Sequence, residues 1–322
     1  MGRSSAETAS QKQTGTVNWT AAESENTKAP PVIRIRRMGA LVLNSGSSDR
    51  AITLKGTNGM AKLATVSYLN ALPLIDGLER ETDIEVVRRV PSRLLETLET
   101  GRASIALCPV IDFQQSVNPL EIVPAGAIGC NGPALTVKLF ATRPLSEVDV
   151  ITVDGESHTS VALVAVVMRD LYGRTPNLQP MEGTGDETPQ ALLLIGDKVI
   201  TATPDRTVYP HELDLGEAWK KISGNPFVFA AWMTGADSDL GNLPRRLKRI
   251  RNTNHGRLAE IATRHAAANG WPETLALEYL SRNLRYELGA PELAGIEEFW
   301  GRCHEIGIID ELRPMRLYGG ES

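Results

Sequence analysis

Short apolar runs alternate with amphipathic stretches after a polar beginning of the chain. The elements that this pattern predicts up to residue 110 are strands at 62–66, 84–90 and 104–110 and helices at 71–79 and 93–100. Pro91 and Ser92 precede the second helix and Gly101 follows it, as is typical of helix ends. Two strand–helix–strand units predict parallel strands of an open α/β sheet, with ligand sites at their carboxyl ends.

The pattern then predicts a second α/β unit and a helical block. Its predicted elements are strands at 135–142, 148–154, 191–197 and 226–234, helices at 159–172 and 214–224, and three helical patterns after Asn242. The helix at 159–172 has one apolar face and is followed by Gly173, the residue type that most often ends a helix. Two such units joined by long strands predict two lobes with a small-molecule cleft between them.

The expected organisation follows from these elements and from a polar first segment. Residues 1–59 are rich in Ser, Thr, Gly, Asn and Lys without sustained periodicity, which predicts a disordered tail. Residues 60–142 form the first part of lobe 1, and residues 143–225 form lobe 2. Residues 226–322 supply a return strand to lobe 1 and the C-terminal helices.

Composition excludes several classes of protein. Of 322 residues, 42% are hydrophobic and 23% charged, as in ordinary globular proteins, and a net charge of −5 argues against a nucleic-acid partner. The absence of an apolar run of about 18 residues argues against a membrane span. Cys108, Cys130 and Cys303 are too few and too scattered for a disulfide framework, so we expect a reducing compartment. The N-terminus has no apolar signal-peptide core, and we expect a cytoplasmic protein.

Two predicted turns between a strand and a helix carry polar side chains. Ser67 and Asn70 lie in the first, "VSYLNALPL", where free backbone amides also face outward. Either they contribute to a ligand loop or one of them only caps the helix. The second turn places Ser157, His158, Thr159 and Ser160 at a helix N-terminus, which suits an anionic ligand as well as simple capping.

Three further positions are candidates for ligand contacts. Gly132 and Pro133 in "GCNGPALT" predict a sharp bend through which backbone can approach a ligand. Asp197 ends an apolar strand and either contacts the ligand or occupies a turn. The histidines show no metal-binding spacing, and neither a phosphate-binding loop nor a dinucleotide motif occurs, so we predict neither metal nor cofactor.

Taken together, the segments resemble the chorismate dehydratases of the futalosine route to menaquinone. The resemblance rests on the order and spacing of "VSYLNALPL", "ALCPV", "GCNGPALTVKLF", "SHTSVAL", "LLIGD" and "DLGEAWKKISGNPFVFAAW". It implies a two-lobed type II periplasmic-binding-protein-like α/β fold with mixed or parallel sheets and a helical C-terminal block. It also implies a cytoplasmic lyase that removes water from chorismate, giving 3-[(1-carboxyvinyl)oxy]benzoate, without a cofactor.

The resemblance assigns roles to individual residues. It makes Asn70 the catalytic residue, whose amide orients the substrate and stabilises developing charge but cannot be the base. We therefore expect the enolpyruvyl carboxylate of chorismate to remove the proton. The residues expected to bind the substrate are Ser67, Gly132, Pro133, Thr136, Ser157, His158, Thr159, Ser160 and Asp197. His158 replaces an arginine common in the family, and it is expected to bind the anion as imidazolium or to act as a general acid.

Alternative functions share parts of this pattern. A sister enzyme that makes 1,4-dihydroxy-6-naphthoate carries the loop "SPCPNDTF", where this sequence has "VSYLNALPL". A non-catalytic small-carboxylate-binding protein of periplasmic type shares the lobes and the anion-binding helix ends, but it is expected to carry a signal peptide or a lipobox cysteine. A paralogue that binds another small carboxylate is a third possibility. For the chorismate dehydratase itself, a homodimer is a further expectation.

Overall fold

The computed structural model describes residues 60–181 and 188–320, together with the backbone of two short strands that pair antiparallel, β1 (Trp19–Ala21) and β2 (Ile33–Ile35). The disordered tail predicted for residues 1–59 otherwise lies outside the described residues and stays a prediction.

Lobe 1 is built on a six-stranded sheet. Its strands are β3 (Ala61–Thr65), β4 (Ile84–Arg88), β5 (Ile105–Pro109), β6 (Leu120–Cys130), β12 (Phe227–Gly235) and β13 (Leu284–Arg285), in the order β13-β6-β12-β5-β3-β4. Strands β4, β3 and β5 are parallel, as the strand–helix–strand pattern predicts, and β12 pairs antiparallel with β5 and β6. All five residues of β5 are buried, which places the centre of this lobe there.

Lobe 2 is built on a five-stranded mixed sheet. Its strands are β7 (Val137–Ala141), β8 (Val150–Val153), β9 (Asn177–Pro180), β10 (Ala191–Ile195) and β11 (His211–Asp214), in the order β11-β7-β10-β8-β9. Strands β8 and β9 run parallel to β10, whereas β7 runs antiparallel to β10 and β11. The predicted boundary at 142/143 assigns β7 to lobe 1, but its pairing puts it in the sheet of lobe 2. Its hydrophobic pattern could not show this, because alternation does not identify the sheet that a strand joins.

The chain therefore crosses between the lobes twice. It leaves lobe 1 between Cys130 and Val137 and returns between Asp214 and Phe227. The return segment contains a helix whose N-cap, Asp214, accepts hydrogen bonds from the first free amides. Trp219 of this helix is fully buried and contacts Phe227, so both lobes share apolar packing at the crossing.

The helices cover the faces of both sheets. Those of the strand-rich part are α1 (Leu72–Ile75), α2 (Leu94–Glu99), α3 (Asp112–Gln115), α4 (His158–Tyr172), α5 (Lys198–Thr201) and α6 (Leu215–Ser223). The C-terminal block contains α7 (Leu243–His255), α8 (Leu258–His265), α9 (Glu273–Glu278) and α10 (Ala290–Glu305). Helix α4 ends as predicted, with Gly173 at a φ of 63°. Within the described ranges, no helix is long and apolar enough to cross a membrane.

Candidate active site between the lobes

A pocket lies between the two sheets, and the empty space within it and in the solvent directly in front of it amounts to about 600 Å³. Its apolar wall includes Val66, Leu107, Ile128, Val137, Ile195 and Phe229. The polar side chains in its lining are Tyr68, Asn70, Thr136, Ser157, Ser160 and Tyr279. Both lobes contribute, and the mixture of apolar walls with a few converging polar groups is typical of a small-molecule site.

The N-terminus of α4 forms the polar end of the pocket on the side of lobe 2. Ser157 is the N-cap, and its Oγ accepts a 3.3 Å hydrogen bond from the backbone N–H of Ser160. The two hydroxyl oxygens lie 3.0 Å apart, and both residues line the pocket. Ser157 thus caps the helix and faces the pocket at the same time. The free amides and the positive end of this 15-residue helix favour a negatively charged group here.

Tyr279 lines the pocket together with Asn70 and Thr136. Its hydroxyl lies 2.7 Å from Thr136 Oγ1. Burial raises the pKa of Tyr279 well above its usual range, although the hydrogen bond with Thr136 lowers it in part. The phenol therefore stays protonated at neutral pH. Tyr279 is not among the predicted site residues, because it lies within a helical pattern without any polar motif beside it.

The loop after β3 does not cap a helix through its polar side chains. Asn70 lies in a short turn, Leu69–Ala71, that leads into α1, and neither turn nor helix has a side-chain cap. Asn70 instead lines the pocket, and its Oδ1 is buried without a hydrogen-bond partner. Ser67, predicted to bind the substrate, is exposed and is not among the residues of the pocket lining.

Asp197 connects the lobes and does not line the pocket. Its Oδ1 accepts a 2.8 Å hydrogen bond from Trp271 Nε1. Burial raises the pKa of this carboxyl group, and the hydrogen bond from Trp271 lowers it in part. Asp197 occupies the N-cap position of α5, but its side chain makes no cap hydrogen bond.

A second connection between the lobes lies at Tyr68. Its hydroxyl donates to the carboxylate of Glu156, which also accepts from Lys198 Nζ at 3.2 Å. Burial, followed by the hydrogen bond to Glu156, raises the pKa of Tyr68 far above its usual value. Burial lowers the pKa of Lys198, but its contacts with Asp154 and Glu156 outweigh this and leave the pKa raised. Tyr68, which lines the pocket, is thus linked to a carboxylate and an ammonium group of lobe 2.

His158 and Thr159 contact lobe 1 rather than the pocket. His158 Nδ1 lies 2.7 Å from Asp112 Oδ1, and both side chains are buried. Thr159 Oγ1 accepts a 3.4 Å hydrogen bond from the backbone N–H of Ile111. Neither residue is part of the pocket lining, although both were predicted to bind the substrate. Their contacts hold the N-terminus of α4 against lobe 1.

The predicted bend at Gly132 and Pro133 is present but lies behind the pocket wall. Gly132 has a φ of 129°, a value that residues with a side chain rarely adopt. The Asp214 carboxylate accepts hydrogen bonds from the backbone N–H groups of Ala134 and Leu135 at 2.8 and 2.7 Å. Of this segment, Thr136 reaches the pocket and the two bend residues do not.

The described part of the chain contains no group of three His, Cys, Asp or Glu side chains that could hold a metal ion. The pocket lining itself contains hydroxyl, phenol and amide groups, so recognition there depends on hydrogen bonds and on the dipole of α4.

Comparisons with known proteins agree with this architecture. The chain resembles an alkanesulfonate-binding protein of Xanthomonas axonopodis (TM-score 0.60, 12% identity, 80% of this chain and 96% of that one). It also resembles the periplasmic aliphatic sulphonate binding protein of Escherichia coli (TM-score 0.55, 13% identity, 83% and 96%). At such identities the likeness shows the fold, which is the predicted periplasmic-binding-protein fold.

Sequence comparison identifies the family. The chain is 30% identical to a chorismate dehydratase of Thermus thermophilus over 250 residues, which cover 72% of this chain and 91% of that protein. The family model described as "Menaquinone biosynthesis" matches residues 61–305, that is, both lobes and most of the helical block. The resemblance seen in the sequence motifs is confirmed: the chain belongs to the menaquinone biosynthesis family.

Proposed function

We propose that this protein is a chorismate dehydratase that acts in menaquinone biosynthesis. Its family and its relative from Thermus thermophilus support this activity. The structural observation that carries the proposal is the pocket between the lobes, where the hydroxyl-bearing N-terminus of α4 and Asn70 border an apolar space. Chorismate is a dianion with an unsaturated ring. Its carboxylates suit the N-terminus of α4, and its ring suits the apolar space.

The reaction is an elimination, which makes the enzyme a lyase. A ring C–H bond and the neighbouring C–OH bond break, the C–H electron pair becomes the new ring double bond, and the hydroxyl leaves with the abstracted proton as water. The product is aromatic, which makes the elimination favourable. The protein's task is to hold the substrate in the reactive pose and to place hydrogen-bonding groups where charge changes.

The proposed carboxylate contacts lie at the end of α4. Ser157 and Ser160 offer hydroxyl groups, and the first turn of α4 adds free backbone amides. Thr136 adds a third hydroxyl from the first crossing segment. We propose that these groups bind the carboxylates of chorismate, while Thr159 and His158 keep α4 in place through their contacts with lobe 1.

The base that removes the ring proton is proposed to belong to the substrate. The residues that line the pocket include no Asp, Glu, His, Lys or Cys, and its two phenols have raised pKa values and are protonated at neutral pH. The enolpyruvyl carboxylate of chorismate lies next to the proton that leaves. Full activity with a chorismate analogue that lacks this carboxylate would contradict the assignment.

Turnover of chorismate is the direct test. Purified protein is incubated with chorismate, and chromatography follows the loss of chorismate and the formation of 3-[(1-carboxyvinyl)oxy]benzoate. We expect product with the wild type and about a 100-fold lower kcat with Asn70→Ala, the usual cost of one oriented hydrogen bond at the reacting centre. The control is Asn242→Ala, because Asn242 is exposed and makes no cap hydrogen bond. Tight binding without turnover would instead indicate a binding protein.

The proposal includes a reducing compartment and therefore a cytoplasmic location. All three cysteines are buried and unbridged, which suits a protein kept under reducing conditions. A homodimer stays a prediction, and light scattering on the purified protein would test it.

A further inference from the structure

The first crossing segment between the lobes is strained directly before Thr136. Leu135 has a φ of 66° and is one of two residues other than glycine with a positive φ in the described part of the chain. The Asp214 carboxylate holds this conformation by accepting hydrogen bonds from the N–H groups of Ala134 and Leu135. The N–H of Gly196 donates to the carbonyl of Thr136 at 2.8 Å. The backbone therefore fixes Thr136 at the pocket, and strain held by its surroundings in this way recurs at ligand sites.

A π-helical turn of the C-terminal block, Tyr279–Asn283, lies against the same segment. Its last residue, Asn283, donates from Nδ2 to the carbonyl of Pro133 at 3.1 Å. Its first residue, Tyr279, brings its hydroxyl to 2.7 Å from Thr136 Oγ1. Tyr279 and Thr136 are buried and line the pocket, whereas the partners of the first bond do not line it. Two hydrogen bonds thus join one turn to one segment, and one of them reaches the site.

The hydrogen bond between the two hydroxyl groups has a preferred direction. A phenol is a stronger acid than an aliphatic alcohol, and its oxygen is the poorer acceptor because a lone pair is delocalised into the ring. Tyr279 therefore donates and Thr136 Oγ1 accepts. Thr136 would donate to Tyr279 only if the phenol lost its proton, which burial prevents at neutral pH by raising the pKa of the phenol. The hydroxyl proton of Thr136 is then left for the pocket.

The Tyr279 ring is held firmly enough to orient a second hydroxyl group. It is 1% exposed and stacks on Trp271, with centroids 4.9 Å apart and an interplanar angle of 17°. Trp271 is held in turn by its 2.8 Å hydrogen bond to Asp197 of lobe 2. A ring packed in this way loses no further rotamer freedom when it orients Thr136. The Thr136 hydroxyl is thus oriented before a ligand arrives, which lowers the cost of binding.

We propose that Tyr279 is a positioning residue, whose hydroxyl donates to Thr136 Oγ1 and so directs the Thr136 proton to the ring carboxylate of chorismate. This inference rests on the proposed function. A donor directed at the enolpyruvyl carboxylate would weaken that group as the base, whereas the ring carboxylate keeps its charge from substrate to product. Among the described residues that line the pocket, none is Lys, Arg or His, so oriented neutral donors carry the recognition of the dianion. Because this contact is the same in substrate and transition state, it should act on binding and not on kcat.

The test compares the two hydrogen bonds of the π-helical turn. Tyr279→Phe keeps the ring that stacks on Trp271 and removes the hydroxyl that faces Thr136. Asn283→Ala is the matched control, because it removes the other bond to the crossing segment and lies outside the pocket lining. Calorimetry with the product should give a Kd that is about threefold to tenfold higher in Tyr279→Phe, the value of one typical hydrogen bond, and within twofold of wild type in Asn283→Ala. KM for chorismate should follow the Kd, while kcat changes less than twofold.

A smaller probe tests which carboxylate is bound. 3-Hydroxybenzoate retains the ring carboxylate and lacks the enolpyruvyl group. Its Kd should rise in Tyr279→Phe by about the same factor as the Kd of the product.

A second comparison tests whether Tyr279 acts through Thr136. Thr136→Val keeps the shape of the side chain and removes its hydroxyl, which should raise the Kd of the product at least about tenfold, as expected for a hydrogen bond to a charged group. In a Thr136→Val background, Tyr279→Phe should change the Kd less than twofold, since the hydroxyl that it orients is already absent. In a Thr136→Ser background, which keeps that hydroxyl, the effect of Tyr279→Phe should remain. Melting temperatures of all variants report folding.

The outcomes distinguish the inference from the function on which it rests. Wild-type turnover with equal product Kd in Tyr279→Phe and Asn283→Ala overturns the positioning role and leaves the dehydratase in place. An equal loss of affinity with and without the Thr136 hydroxyl, or a fall in kcat at unchanged Kd, also overturns it. Unchanged binding of 3-hydroxybenzoate in Tyr279→Phe overturns the assignment to the ring carboxylate. No turnover by the wild type overturns the proposed function, and the inference fails with it.

Discussion

Trp271 Nε1 donates a 2.8 Å hydrogen bond to Asp197 Oδ1, and the two residues belong to different lobes. The indole also stacks on Tyr279, which lines the pocket. One side chain thus contacts both the connection between the lobes and the wall of the site. We expect the lobes to separate when a ligand enters, so the strength of this contact should influence how tightly the closed cleft holds the substrate.

Replacement of Trp271 by phenylalanine tests that link. Trp271→Phe keeps an aromatic ring beside Tyr279 but removes the N–H that Asp197 accepts, so we expect KM for chorismate to rise about threefold to tenfold, the value of one typical hydrogen bond. Trp300→Phe is the control, because the Trp300 N–H binds the Val110 carbonyl within lobe 1. Steady-state kinetics on both variants gives the answer. An equal rise in KM in the two variants would contradict a role for the connection between the lobes.

Glu156 provides an independent test of the second connection. Glu156→Gln removes the charge with which Glu156 contacts Tyr68 of lobe 1 and Lys198 of lobe 2. About a third of the side chain is exposed, and solvent screening therefore limits the expected rise in the Kd of chorismate to about threefold. Calorimetry measures it. Glu212→Gln is the control, since Glu212 pairs with Lys138 on neighbouring strands of lobe 2, and an unchanged Kd is expected there.

The contact between Asp112 and His158 should matter for stability. Asp112 is 1% exposed, and truncation to alanine leaves the buried His158 side chain without this carboxylate. We expect Asp112→Ala to lower the free energy of unfolding by about 3 kcal/mol. Asp149→Ala is the matched exposed change, because Asp149 pairs with Arg174 while 63% exposed, and it should cost less than about 0.5 kcal/mol. Urea unfolding compares the two, and equal losses would exclude a buried contact of this strength.

Two glycines of the same helix predict opposite effects of one substitution. A Cβ at Gly295 of α10 would lie 2.2 Å from the carbonyl oxygen of Pro226, whereas a Cβ at Gly301 would meet nothing within 4 Å. Gly295→Ala should therefore lower the free energy of unfolding by about 2 kcal/mol through overpacking. Gly301→Ala should raise it by about 0.5–1 kcal/mol through helix propensity. Thermal unfolding of both variants is the measurement, and equal signs would contradict the packing seen here.

The sequence predicted correctly those elements whose ends are marked by residues of the same segment. Helix α4 begins after the N-cap Ser157 and ends before Gly173, and both signals are local. Strand β6 was missed, because its segment contains Pro124 and Gly126, which normally argue against a strand. The structure accommodates the exposed Pro124 in a shift of register between Ile122 and Ala127 opposite β12. Such a bulge depends on the partner strand, which the segment itself does not specify.

The site was predictable only where its residues lie in loops at strand ends. Asn70, Ser157 and Ser160 carry polar side chains at predicted turns, and the structure brings them to one pocket. Tyr279 comes from a helical segment more than 140 residues after Thr136 along the chain, and only the tertiary fold places the two hydroxyl groups 2.7 Å apart. His158 follows Ser157 directly, yet it points to Asp112, because successive residues of a helix face different directions.

Buried phenols predict a loss of stability at alkaline pH. Burial raises the pKa values of Tyr68, Tyr279 and Tyr286, so the folded protein keeps these phenols neutral while the unfolded chain ionises them near pH 10. The folded state binds more protons above that pH, and the free energy of unfolding therefore falls as pH rises, by about 1.4 kcal/mol per pH unit for each phenol. Urea unfolding between pH 8 and pH 10.5 should show a plateau below about pH 9 and a decline above about pH 10. Tyr279→Phe and Tyr286→Phe should each make that decline shallower by the slope that one phenol contributes, about 1.4 kcal/mol per pH unit. If both variants instead showed the slope of the wild type, these phenols would ionise while the protein is folded.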